Sequence, residues 1–178
     1  MFTNNSYSMK RLITFAFVFL FSLPIFAQLV HVKGVKGLFS EFNYQKNGYS
    51  VGLGFYKIQT KKFIWKTSAE FHSTKQESTT TNHYNVFGES CFNFLSFKQQ
   101  VFFNISGGVA FGFEQLKDNV FSGSKSSPVL AESVGLNIEW CPIEKLTTAI
   151  NFRQRFTQFN RNGNAYFMIG LSVQYNLN

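Results

Sequence analysis

The chain has 178 residues, a formal net charge of +8 at pH 7 and an aromatic content of 19%, including 24 Phe. That aromatic share is far above the usual share of a soluble domain, yet the mean hydropathy is only −0.07. Such a balance is typical of a membrane β-barrel, in which one face of each strand is apolar and the other polar. The basic residues are dispersed, which argues against a dedicated nucleic-acid patch.

The first residues have the organisation of a cleavable export signal: a basic start, an apolar run of 15 residues and a small-residue exit at Ala27. The apolar run is shorter than the roughly 20 residues of a helical span, and no later segment reaches that length. We therefore predict a signal peptide at 1–27, a periplasmic N-terminal segment at 28–36 and a barrel domain at 37–178. Export excludes a nucleotide-dependent cytosolic enzyme.

Eight segments of alternating polarity follow in chain order. They are 37–44, 49–56, 63–72, 83–94, 101–114, 130–140, 146–156 and 165–177. The Asn47-Gly48 pair between the first two favours a tight hairpin. Connections three and five, at 74–82 and 115–127, are predicted to be long polar loops. An even number of strands returns both termini to one side, so the pattern predicts an all-β, eight-stranded antiparallel transmembrane barrel of the outer-membrane type.

The polar face of these segments carries charges of both signs among small residues, which suits the crowded interior of a narrow barrel. We predict that seven charged side chains form a structural network in the lumen: Glu41, Lys66, Glu70, Glu89, Glu139, Arg153 and Arg155. Arg153 is expected to meet Glu70 or Glu89. Phe87 and Phe102 interrupt the polar face and are expected to pack inside the lumen.

The apolar face is predicted to meet lipid, with an aromatic belt of Trp65, Trp140 and Tyr175 at the membrane interface. The two Trp residues lie near predicted short turns, which places them on the periplasmic side. Alternation alone leaves a second arrangement open: a secreted, lipocalin-like barrel with the apolar side chains turned inward around a ligand.

Residues of catalytic or metal-binding chemistry are scarce in the sequence. His31, His72 and His83 are far apart and lack metal-ligand spacing, and no nucleophile or phosphate-binding motif is present. We therefore expect no enzymatic activity, catalytic residue, cofactor or metal. Cys91 and Cys141 fall near one end of the barrel with a strand between them. They are predicted to be free thiols, because a disulfide needs Cα atoms within about 7 Å.

Several segments are similar to the TraO family of conjugative transposons: residues 24–28, 36–38, 104–114, 130–132 and 170–175. The similarity extends over essentially the whole mature chain. It implies an outer-membrane scaffold or anchor in a type IV-like apparatus for DNA transfer, with lipid and other transfer proteins as partners and without direct nucleic-acid binding. The alternative is a small outer-membrane surface barrel that serves adhesion or envelope stability.

Overall fold

The computed structural model describes residues 31–76, 79–118, 124–158 and 165–177. The predicted signal peptide at 1–27 lies outside these residues. The strands are β1 (Lys36–Gln45), β2 (Gly48–Thr60), β3 (Phe63–Gln76), β4 (Thr79–Phe97), β5 (Val101–Asp118), β6 (Ser124–Ile143), β7 (Leu146–Gln158) and β8 (Ala165–Asn176). Within the described part of the chain, no helix is long and apolar enough to cross a membrane.

The eight strands form a closed antiparallel barrel in chain order. The first and last strands complete the ring, from the pair Gly37 and Asn176 to the pair Gln45 and Met168. The first hairpin has a two-residue turn in which Asn47 has a φ of 64°, a left-handed conformation that Asn tolerates well. The predicted fold is therefore confirmed, including the tight turn.

The predicted long loops at 74–82 and 115–127 are wrong. β3 and β4 continue to pair through Thr74 and Thr81, and β5 and β6 continue through Gln115 and Ser126. The strands continue beyond the last apolar side chains, because the backbone hydrogen bonds between strands do not require apolar side chains. β-branched Thr also favours an extended backbone. Both hairpins therefore extend past the apolar band as paired strands.

Alternation places the apolar side chains outside and the polar ones inside. Leu53 and Val86 are each 65% exposed and Phe111 is 61% exposed. Glu89 and Arg153, in contrast, are 3% and 2% exposed. The lipocalin-like alternative required the opposite orientation, so the structure contradicts it.

Residues 31–35, which belong to the predicted periplasmic segment, pack against the end of the barrel where β1 begins. The backbone N–H of Gly34 donates to the carbonyl of Ile58 at 2.8 Å, and the N–H of Ile58 donates to the carbonyl of Val35 at 2.8 Å. Val35 packs against a buried cluster made of Phe39, Tyr56, Ile58, Ile64 and Cys91. We call residues 31–35 the mouth segment.

The two cysteines are free, as predicted, and both are buried. Cys91 belongs to the cluster under the mouth segment, whereas Cys141 packs against Phe102. The predicted segment 130–140 ends before Cys141, but β6 continues to Ile143, so this residue lies within a strand.

Candidate functional site: the charged lumen

Arg153 on β7 holds together carboxylates from three other strands. Its Nη1 donates to Oε1 of Glu41 at 3.1 Å, and its Nη2 donates to Oε1 of Glu89 at 3.0 Å. Glu70 lies further away, with Oε1 at 3.8 Å from Nη1. The sequence suggested Glu70 and Glu89 as partners of this arginine. The contact with Glu41 was missed, because β1 and β7 are neighbours only through β8, after closure of the ring, and their relative height depends on the stagger of the strands.

Arg155 lies two residues further along β7 and forms the second contact group. Its Nη2 donates to Oε2 of Glu70 at 2.7 Å. His72 lies beside both groups: its Nε2 is 2.6 Å from Nη1 of Arg155 and 2.9 Å from Oε2 of Glu70. Glu70 therefore contacts both arginines of the lumen network, which joins the two contact groups into one cluster.

Phe87 packs inside this cluster, as predicted. Its side chain is 2% exposed, and the guanidinium carbons of Arg153 and Arg155 lie 4.8 and 4.9 Å from the ring centroid. Guanidinium groups at this distance are attracted by the negative face of an aromatic ring. Phe87 thus supplies apolar volume and a weak electrostatic partner to two buried cations.

A second cluster lies nearer to the mouth segment. Lys66 Nζ donates to Oε1 of Glu139 at 3.1 Å, and Gln174 Nε2 donates to the same oxygen at 3.1 Å. Nε2 of His31 lies 3.1 Å from Oε2 of Glu139, while its ring stacks on Phe102 with centroids 3.7 Å apart. The mouth segment is therefore fixed to the lumen charges by its first described residue.

The histidines were the main omission of the sequence analysis, which treated them as isolated. His72 joins the arginine cluster, His31 joins Glu139, and His83 has Nε2 at 3.8 Å from Oε2 of Glu114. The rings of His72 and His83 lie 6.4 Å apart. A signal was present for His72, since it follows Glu70 by two residues and so shares its face. The partners of His31 could not be inferred from the sequence, because His31 precedes the first strand.

The seven predicted lumen residues are all buried, and they carry four carboxylates and three permanent cations. Each of the four carboxylates lies within 3.1 Å of a basic side chain. Buried charges require such pairing, since an unpaired ion in a low-dielectric interior is strongly disfavoured. In the described part of the chain, no group of three or more His, Cys, Asp or Glu side chains is arranged to hold a metal ion. The arrangement fills the interior and gives each carboxylate of this set a basic partner.

The three residues of the predicted aromatic belt lie on the outer face at the end where β1 begins. Trp65 and Tyr175 are 56% and 47% exposed, and Trp140 is half-buried. Trp140 lies further from its turn than the sequence suggested, because the pairing with β7 shifts register between Trp140 and Ile143. All three side chains are nevertheless at the same end of the wall.

No family model matches the chain, and the search of curated proteins found no match. Among solved structures, the N-terminal β-barrel domain of Pseudomonas aeruginosa OprF has a TM-score of 0.64 at 10% identity and covers 82% of this chain and 98% of that one. Neisserial surface protein A has a TM-score of 0.57 at 9% identity, covering 80% and 95%. Ail, the attachment invasion locus protein of Yersinia pestis, has a TM-score of 0.53 at 14% identity, covering 82% and 100%. The chain therefore has the fold of small, eight-stranded outer-membrane barrels.

Proposed function

We propose that the protein is a non-enzymatic, integral outer-membrane barrel that acts at the cell surface, in adhesion or envelope stability. The observation that carries this proposal is the exposed apolar wall around a closed ring of strands, with charges enclosed within it. Water-facing apolar patches of a soluble protein rarely exceed a few hundred Å², whereas a lipid-facing barrel requires a continuous apolar band. The fold shared with OprF, Neisserial surface protein A and Ail supports an outer-membrane location.

The two ends of the barrel differ in a way that suggests its orientation. Short turns connect the strands at the end where β1 begins, at 61–62, 98–100 and 144–145. The hairpins β3–β4 and β5–β6 extend furthest at the opposite end. Short turns are typical of the periplasmic side and longer connections of the outer side. The extended hairpins would then project from the cell and make the surface contacts, after export through the signal at 1–27.

Membrane integration can be tested by placing a lysine at either of two heights on the outer wall of the barrel. Lysine at the middle of a bilayer costs a barrel about 2–4 kcal/mol, and much less near the interface. Val86→Lys should therefore reduce recovery of the folded form in the outer-membrane fraction, as judged by the gel mobility of unheated samples. Ser126→Lys, on the extended part of β6, is the matched control and should insert normally. Recovery of the wild-type protein as a detergent-free soluble monomer would overturn the proposal.

A second candidate is a scaffold in conjugative DNA transfer, which is supported by the TraO-like segments. An eight-stranded barrel has an interior just wide enough for its own side chains, so DNA would not pass through it. The role would be to anchor other transfer proteins at the outer membrane. Deletion in a donor strain should then reduce transfer greatly without slowing growth, while a normally inserted Glu89→Gln variant should transfer DNA at near-normal frequency. Normal transfer by the deletion strain would leave the surface-barrel role alone.

A further inference from the structure

The outer wall of the barrel contains a groove over strands β2–β5. Its volume is about 580 Å³, within the range of about 300–1,000 Å³ that is usual for small-molecule sites. The groove lies where a small side chain, Ala69, stands between Leu53, Val86 and Phe111 in neighbouring strands. It faces the region that lipid chains would occupy, which follows from the proposed membrane location.

One edge of this groove begins a graded series of residues on three adjacent strands, β3, β4 and β5. Strand pairing aligns these residues into rows on the outer face. The first row, Phe71–Tyr84–Phe113, lines the groove; the next rows beyond it are Ser73–Asn82–Gln115 and then Lys75–Thr80–Lys117. Aromatic side chains thus give way to hydroxyl and amide groups, and these give way to two exposed lysines.

The heights of these rows fit one leaflet of a membrane. Lys75 is six residues from Ala69, about 20 Å along the strand at 3.3 Å per residue. With the strands of a barrel tilted by about 35–45°, this distance corresponds to a depth of roughly 15 Å. Half of a hydrocarbon core of about 30 Å has the same thickness. The groove therefore lies at acyl-chain depth when the lysines lie at headgroup level, and Lys75 and Lys117, two strands apart, are separated by about 10 Å.

We propose that this surface binds an acidic glycolipid of the outer leaflet, one whose headgroup carries phosphate on a sugar. Lys75 and Lys117 would bind the phosphate, because basic side chains at a membrane surface attract anionic headgroups. The row Ser73–Asn82–Gln115 would meet the sugar hydroxyls, and an acyl chain would enter the groove beside Ala69. This inference rests on the proposed membrane location, since the groove has no lipid to bind if the barrel is soluble.

The test measures which lipids remain bound to the folded barrel. Wild-type protein in detergent is mixed separately with a bisphosphorylated, acylated disaccharide, its dephosphorylated form and phosphatidylcholine, and retained lipid is quantified by native mass spectrometry. Two lysines at about 1 kcal/mol each correspond to roughly 30-fold in affinity. The double variant Lys75→Gln, Lys117→Gln should therefore retain the phosphorylated lipid about 30-fold more weakly. Its matched control, Lys61→Gln, Lys62→Gln, removes the same charge from the opposite end and should bind as wild type.

The groove is tested by Ala69→Leu, which fills the space between its neighbours. We expect weaker retention of the phosphorylated lipid, whereas Ser90→Leu, also on the outer face but near the opposite end, should leave retention unchanged. Equal retention of phosphatidylcholine and the phosphorylated lipid, or equal binding by the lysine variant and its control, would overturn the proposal. Displacement of the bound lipid by inorganic phosphate alone would also overturn it. A wild-type dimer that is lost in Ala69→Leu would do the same, because the groove would then be a contact between two copies of the chain. Gel mobility of unheated samples, run in parallel, shows whether each variant is folded, so a failure of membrane integration is separated from a failure of lipid binding.

Discussion

Replacement of Arg153 by alanine should be the most damaging single change in the lumen network. The side chain is 2% exposed and donates hydrogen bonds to Glu41 and Glu89 at 3.1 and 3.0 Å. At about 1.5–3 kcal/mol for each hydrogen bond to a charged group, the loss is about 3–6 kcal/mol. Breaking a buried pair by removing one partner costs about 3–5 kcal/mol, since the remaining charge is buried without compensation. We therefore expect Arg153→Ala to lower the free energy of unfolding by about 3–5 kcal/mol.

The assay is urea unfolding of the inserted barrel, followed by the fluorescence of its two tryptophans. Trp65 and Trp140 both lie on the outer face, so their emission should shift when the barrel leaves lipid. For m-values of about 1–3 kcal/mol/M, the predicted loss moves the midpoint by at least about 1 M. Lys46→Ala, in the exposed turn of the first hairpin, is the control and should unfold within about 0.5 kcal/mol of the wild type.

A double-mutant cycle separates the charge contact from the loss of side-chain volume. Arg153→Ala and Glu89→Gln are measured alone and together, and groups in direct contact usually show a coupling energy of about 0.5–3 kcal/mol. Equal urea midpoints for Arg153→Ala and the Lys46 control would show that the contacts of Arg153 do not stabilise the barrel. A coupling energy close to zero would show that Arg153 stabilises the barrel by packing alone.

Three further predictions concern the packing of the interior. Phe87→Ala should destabilise the barrel by about 3–5 kcal/mol, measured by the same urea assay, because two buried guanidinium groups lose the ring beside them. Gly112→Ala should be poorly tolerated, because its Cβ would overlap a backbone carbonyl of the neighbouring strand. A Cβ on Gly107 of the same strand meets nothing closer than 3.9 Å, so Gly107→Ala is the control. The folded yield in detergent should be lower for Gly112→Ala, and equal yields would contradict this packing. His31→Ala should increase maleimide labelling of Cys141, because His31 stacks on Phe102, which packs against this cysteine. An unchanged labelling rate would show that Cys141 stays buried without the His31 contact.

The fold was predictable because a barrel with an apolar outer face and a polar interior requires side chains that alternate in polarity along every strand. Alternation assigned Leu53, Val86 and Phe111 to one face and Glu89 and Arg153 to the other. The mixture of charges and small residues on the polar face then indicated that this face points inward, and the structure agrees. The hairpin extensions escaped prediction for the same reason. Where both faces of a strand are polar, no alternation is left from which the strand could be predicted, although its backbone hydrogen bonds continue.

The partners within the lumen were harder to predict than its membership. Alternation shows which side chains share the polar face, but not which of them contact each other inside the ring. That choice depends on the stagger of the strands, which is set by closure of the barrel. Glu41 is the clearest case, because it is 112 residues from Arg153 in sequence and contacts it directly. The mouth segment is another, since no periodic pattern connects His31 with Glu139.

A buried ion pair often stabilises a protein no more than well-packed apolar residues of similar volume. Stability alone therefore does not explain why the interior of this barrel is ionic. Strand register gives a physical answer. A slip of one residue turns every side chain of a strand to the opposite face. For β7 this would place Arg153 and Arg155 on the apolar outer wall, which meets lipid in the proposed membrane location. Each arginine would then cost up to about 2–4 kcal/mol near the bilayer midplane, and the carboxylates left inside would lose their cations. A neutral, small-residue lumen would carry no such penalty. An apolar interior of similar volume can be as stable as this network, but the charges strongly disfavour the nearest competing registers of the sheet.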